Sequence, residues 1–248
     1  VQNDHQDGRH SFSHDNMKRD YPLAMETIWN FAGGRPVSNR PEELVISITD
    51  PKSDPVERFL VSHEKLMHLV LVRKDLSYFN HYHPEYKGGG TFTCEIEFPA
   101  GGEYKLFAEF YPEDGEAQLK TYEIDVEGQR MSPPPEDLSS IRSVDGLEIE
   151  LQTTFSESEG LLRFTFKDDQ TKQPFYGLQP YLGAMGHVVI LSEHAAHYLH
   201  SHPLEQLPSK DEVQFITNYP STGLYKIWGQ FKHDGKVTTV PYLVHFGH

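Results

Sequence analysis

Apolar and polar residues alternate with a period of two over much of the chain. Phe92, Cys94, Ile96 and Phe98 form one such series, Tyr104, Leu106, Ala108 and Phe110 another, and Leu162, Phe164 and Phe166 a third. Side chains that alternate in this way belong to strands with one face buried. Glycine-bearing turn sequences (GGG at Gly88, AGG at Ala100, EDG at Glu113, STG at Ser221, HDG at His233) punctuate these strands at the spacing of a sandwich or barrel. No stretch reads as a capped amphipathic helix. The pattern predicts an all-β chain of two tandem antiparallel β-sandwich domains, immunoglobulin-like in architecture.

The duplication is read directly. Residues 68–84 (HLVLVRKDLSYFNHYHP) lie over residues 187–203 (HVVILSEHAAHYLHSHP) without a gap, and three of the five identities are histidine. The similarity resumes at Phe98 and Tyr219, pairing Tyr104 with Tyr225 and Phe107 with Trp228. A repeat of this length is a tandem copy of one domain. The expected boundaries are a polar N-terminal segment over 1–40, a first sandwich over 41–128, a proline-rich linker over 129–140 and a second sandwich over 141–248.

Composition narrows the function. The formal net charge is -15, from 22 basic and 37 acidic residues, which repels phosphate backbones and argues against a nucleic-acid partner. A single cysteine, Cys94, excludes an internal disulfide framework and a thiolate zinc cluster. Its counterpart in the second copy is Phe215, so it reads as a buried packing residue. No apolar run reaches the length of a membrane-spanning helix. The first residue is valine rather than methionine, which suits removal of a signal peptide.

The chemistry therefore falls to histidine, of which there are 15. His81 and His83 project from one side of a strand, and a hairpin with the preceding strand brings His68 opposite one of them. His187, His200 and His202 repeat the spacing. Each set of three imidazoles can converge on one ion, giving an expected metal site in each domain. Nitrogen ligands without thiolate favour copper first and zinc next. Unperturbed imidazoles titrate near 6.5, so such sites release their ion as pH falls from 7.5 to 5. His63, Met67, Met185, His194 and His197 are weaker ligand candidates, and His5, His10 and His14 belong to a polar tail that reads as mobile.

The stretches HEKLMHLVLVRKDLSYFNHYHPE and PYLGAMGHVVILSEHAAHYLHSHP, followed by GLYKIWGQFKHDGKVTTVPYLV, resemble bacterial exported proteins and lipoproteins with repeated immunoglobulin-like domains. They are also similar to YtkA-like modules, described as heavy-metal-binding or copper-associated. The resemblance implies roles for His68, His81, His83 and Pro84, and for His187, His200, His202 and Pro203. In the first copy Met67 replaces the glycine that precedes the strand histidine. The expected function is a non-enzymatic extracytoplasmic metal-binding protein, secreted or lipid-anchored, for buffering, delivery or resistance. A membrane metal transporter or another envelope protein would be its partner. Alternatives are an envelope or adhesion-type interaction module with structural histidines, and a metal-dependent hydrolase or oxidoreductase.

Overall fold

The computed structural model describes residues 24–205 and 209–247. It is all-β apart from a single 3-10 turn, and it contains two antiparallel immunoglobulin-like sandwiches in tandem. The first is built from β1 (Glu26–Phe31), β2 (Pro41–Thr49), β3 (Phe59–Leu60), β4 (Met67–Arg73), β5 (Phe79–Tyr82), β6 (Glu85–Gly88), β7 (Thr91–Glu97), β8 (Gly102–Pro112) and β9 (Gln118–Val126). Its outer sheet runs β1-β2-β7-β6, and its inner sheet runs β3-β8-β4-β5 with β9 on β8.

The second sandwich comprises β10 (Ile141–Val144), β11 (Leu147–Phe155), β12 (Glu159–Asp168), β13 (Leu178–Gln179), β14 (His187–Ser192), β15 (Tyr198–Leu199), β16 (Ser201–Pro203), β17 (Glu212–Asn218), β18 (Gly223–His233) and β19 (Lys236–Phe246). Its outer sheet, β10-β11-β12-β17-β16, matches the first domain's with one added edge strand, and its inner sheet runs β13-β18-β14-β15 with β19 on β18. The first sandwich starts before residue 41, because β1 pairs with β2 and sets Trp29 into the core. The alternation Thr27, Trp29, Phe31 marks that strand in the sequence. Residues 1–23, including His5, His10 and His14, lie outside the described part. No helix among the described residues is long and apolar enough to cross a membrane.

Each sandwich closes over its own core. Leu44, Ile46, Phe92, Leu69, Leu71, Leu106 and Phe110 meet between the sheets of the first, and Ile149, Phe164, Phe166, Ile190, Phe215, Ile227 and Phe231 between those of the second. Tyr104 and Tyr225 fill equivalent core positions, and their hydroxyls donate to the carbonyls of Ala100 and Ser221 at 2.8 and 2.9 Å. Cys94 is half-buried against the first core, and burial pushes its thiol up to about 11, which leaves it a packing residue.

A third core joins the domains. Every residue of β4 is buried. Met67, Leu69 and Leu71 face the sandwich interior, whereas Val70 and Val72 face the other way and meet Val189, Leu191, Ala195 and Trp228 of the second domain. The inner sheets thus pack face to face with approximate two-fold symmetry, as an isologous dimer does. Phe79 stacks on Trp228 with centroids 4.8 Å apart, and the equivalent pair, Tyr198 with Phe107, lies at 5.3 Å. Trp228, buried to 4% exposure, is the largest group in this contact. Trp228→Ala should lower unfolding stability by about 3–5 kcal/mol, read as the urea midpoint; a change within about 0.5 kcal/mol would place the ring outside the stabilising contact.

Candidate metal centre

The β4–β5 hairpin pairs Val70 with His81 and Leu69 with Tyr82, a register that carries His68 to a position opposite His83 just past the end of β5. His68, His81 and His83 therefore stand on one face, the one turned toward the second domain. One ring nitrogen from each lies within 4.8 Å of the others. Ligands at about 2.0–2.1 Å in tetrahedral geometry sit roughly 3.3 Å apart, so a small contraction of side chains suffices to close on an ion. His68 is 4% exposed, and His81 and His83 are half-buried.

The hydrogen bonds set the protonation pattern. His68 Nε2 is 2.9 Å from the carbonyl oxygen of Ser62, which only accepts, so the His68 proton resides on Nε2. His81 Nδ1 is 2.8 Å from Oε1 of Gln230, and the Gln230 amide nitrogen faces Thr239 Oγ1 at 3.3 Å. In that orientation the His81 proton resides on Nδ1. The remaining nitrogens, His68 Nδ1 and His81 Nε2, then face each other at 3.1 Å with a lone pair each. His83 Nε2 is buried without a partner.

The imidazoles are held neutral. Burial, followed by the neighbouring His187 and His83 rings, pushes His81 well below its ordinary 6.5. Burial and the His68 ring push His83 down to about 4, and burial also lowers His68. Neutral imidazole is the form that ligates.

The second set of three does not assemble. His187 leaves its own copy's partners and stacks across the interface on His81 at 4.9 Å and on its equivalent, His68, at 5.7 Å. Burial and the His68 ring bring it down to about 3. His200 occupies the position equivalent to His81 but bonds Glu109, the equivalent of Gln230, at 3.3 Å. That carboxylate raises the His200 pKa and favours its imidazolium form. Burial tends to raise the Glu109 carboxyl, but the His200 contact outweighs it and the net shift is downward. His202 is exposed on β16, paired with Ile216 in the outer sheet.

The two copies part where their strands change sheet. Between His81 and His83 stands Tyr82, which packs on the first core, accepts from the Glu97 backbone and is paired with Leu69 of β4, so β5 is still in the inner sheet at this point. At its counterpart Ser201 the hydroxyl still donates to the Val188 carbonyl of the inner sheet, but Thr217 of β17 donates to the His200 carbonyl and β16 pairs with β17 from Ser201 onward, so His202 lies in the outer sheet.

The remaining candidates divide. His63 lies at the tip of a tight turn, with His63 and Glu64 both in the left-handed region, and its ring is 6.0 Å from His68 and 5.8 Å from His187. Met67 is fully buried in the first core, and Met185 packs against the second. Gly186, which aligns with Met67, faces Phe231, whose ring a Cβ would meet at 2.6 Å. The Gly-to-Met difference is therefore a matter of core packing. His194 and His197 are exposed near the opposite end of the interface, where His194 lines a groove with Asp75 and Pro133. Gln230 was not visible as a site residue in the sequence, although its alignment with Glu109 marks a position where the copies differ in charge.

These features define a tandem β-sandwich protein with a histidine cluster at its domain interface. The chain belongs to the family described as "Domain of unknown function (DUF8832)", which matches it twice, over residues 25–128 and 142–247. No curated protein matches it. Among solved structures it is similar to FdeC, an Escherichia coli adhesin, at 13% identity and a TM-score of 0.31, covering 91% of this chain and 66% of that one. It is similar to invasin, a bacterial integrin-binding protein, at 10% identity and a TM-score of 0.27, covering 89% and 39%. Domains 5-6 of the S-layer protein SbsC align at 11% identity and a TM-score of 0.24, covering 92% and 100%. The chain thus spans less than two thirds of the FdeC and invasin chains. Likenesses of this size transfer no function.

Because the unfolded chain takes up protons near 6.5 and the folded one resists them, the depressed histidines contribute stability that is present above about pH 6.5 and lost as pH falls toward 4 for His83 and 3 for His187. The urea midpoint should drop between pH 7.5 and 4 in metal-free protein, and a His83→Gln, His187→Gln variant should lose measurably less over that range. Parallel profiles would contradict the burial of these rings in neutral form.

Proposed function

We propose that the chain binds one divalent transition-metal ion, copper first and zinc next, through His68, His81 and His83, and that it buffers or delivers this ion without catalysing a reaction. The observation carrying this reading is the pair of ring nitrogens, His68 Nδ1 and His81 Nε2, 3.1 Å apart while Ser62 and Gln230 draw the protons of both rings outward. Two facing lone pairs repel unless a cation lies between them, and His83 Nε2 offers a third donor alongside. Three neutral nitrogens without a thiolate suit Cu(II) and Zn(II). Placement outside the cytoplasm, secreted or lipid-anchored, belongs to this reading. So does a membrane metal transporter or another envelope protein as the partner that gives or takes the ion.

A second reading, an envelope or adhesion-type interaction module with structural histidines, rests on the same network. With the Gln230 amide turned over, Gln230 donates to His81 Nδ1, His81 Nε2–H donates to His68 Nδ1, and that contact closes without an ion. The histidines then serve domain docking.

Elemental analysis separates the two. Protein equilibrated with copper or zinc and desalted at pH 7.5 should retain about one ion per chain, and a folded His68→Ala, His81→Ala, His83→Ala variant none. His200→Ala and His202→Ala should leave retention unchanged. Equal retention by parent and triple variant, or none in either, would remove the metal reading. Burial also shifts the expected release: buried rings compete poorly for protons, with His83 brought down to about 4, so the ion should persist at pH 5. Loss near pH 6 would indicate solvated, unperturbed ligands.

A further inference from the structure

A fourth imidazole packs on the three whose nitrogens converge. His187 reaches the same cluster from the second domain, with its ring 4.9 Å from His81 and 5.7 Å from His68. His187 opens β14, directly opposite Gln230 on β18, so the residue that orients His81 and the ring that stacks on it come from one place in the second domain. The turn carrying His63 and Glu64 meets the turn at Gly183 beside them, where a Cβ on Gly183 would lie 4.0 Å from the Glu64 side chain. The cluster therefore sits across the boundary between the two sandwiches, at the end of the apolar contact formed by Val70, Val72, Val189, Leu191 and Trp228.

Resting on the three-histidine reading, we propose that His187 is the fourth ligand of that ion, so that metal occupancy clamps the second domain onto the first. A four-imidazole tetrahedral shell has no open position for substrate or water, so the ion is held while the domains are docked and is exchanged when His187 withdraws. His187 needs a rotation of its ring out of the stack to direct a nitrogen at the ion, a side-chain movement that leaves β14 in register. A tetrahedral shell of four neutral nitrogens turns the preference of the three-histidine set from copper to zinc, because Cu(II) favours tetragonal geometry; Co(II) serves as the spectroscopic probe of the same shell. The duplicated fold thereby uses one ion where its sequence offers two sets of three histidines. The equivalent position on the other side of the two-fold is taken by the His200–Glu109 pair.

Titration with Co(II) tests this in the full-length chain. The parent should give an intense four-coordinate visible spectrum that added azide does not change. His187→Ala should still bind one Co(II) through the triad, on the order of 10- to 100-fold more weakly, the loss known for removing even an outer-shell partner. Its spectrum should respond to azide at the vacated position. His187→Gln serves as the control variant should the alanine form fold poorly. In parallel, amide exchange along β14 should slow when Zn(II) binds the parent and stay unchanged when Zn(II) binds His187→Ala. Identical affinity, spectrum and exchange in parent and variant would overturn the fourth ligand while leaving the triad in place. No Co(II) binding by the parent would instead overturn the metal reading from which this proposal starts.

Discussion

The contact between the two inner sheets governs the rest of the molecule. In an isolated sandwich Val70, Val72, Val189, Leu191 and Trp228 would face solvent; here they form a core of their own. Burial on both faces explains why β4 carries an unbroken apolar run instead of alternating. The same contact removes water from the imidazoles at its end. Without the second domain, His81 would lose both its Gln230 partner and the stacked ring of His187, and desolvation would no longer hold the cluster neutral. Apolar packing between domains and the chemistry of the cluster are therefore one arrangement.

Much of this was legible in the sequence. Period-two alternation specified the strands, the repeat specified two domains, and the spacing of His68, His81 and His83 specified a convergent set, because strand pairing converts sequence spacing into distance. The second set does not converge as its spacing predicts, because local spacing does not say which sheet a strand end will join. Tyr82 and Ser201 differ at the middle of the H-x-H motif: Tyr82 is paired with β4 of the inner sheet, whereas Ser201 is already paired with β17 of the outer one. The first sandwich begins before residue 41 because β1, set in a polar stretch, pairs with β2 and buries Trp29. The docking of the inner sheets left only the runs HLVLV and HVVIL as a trace, since residues that touch across domains share no local pattern.

Duplication followed by divergence accounts for the asymmetry of the site. His81 with Gln230 and His200 with Glu109 are the same pair on opposite sides of an approximate two-fold. A neutral amide oxygen accepts a hydrogen bond from the imidazole N–H while leaving the ring uncharged and its other nitrogen with a lone pair. A carboxylate at the same place favours the imidazolium, which has no lone pair to give. A difference of charge type at Gln230 and Glu109, together with an earlier crossing between sheets in the second copy, separates a candidate ligand set from a salt bridge at the domain boundary.

The central claim is that the protons of His68 and His81 point outward and leave two lone pairs facing one another. Nitrogen-15 NMR of the imidazoles in metal-free protein at pH 7.5 reads this directly. The account predicts protonated Nε2 and bare Nδ1 for His68, and protonated Nδ1 and bare Nε2 for His81, with both bare nitrogens shifting when Zn(II) is added. A protonated His81 Nε2 donating to His68 Nδ1, unmoved by Zn(II), would contradict it and leave the cluster as a hydrogen-bonded domain contact.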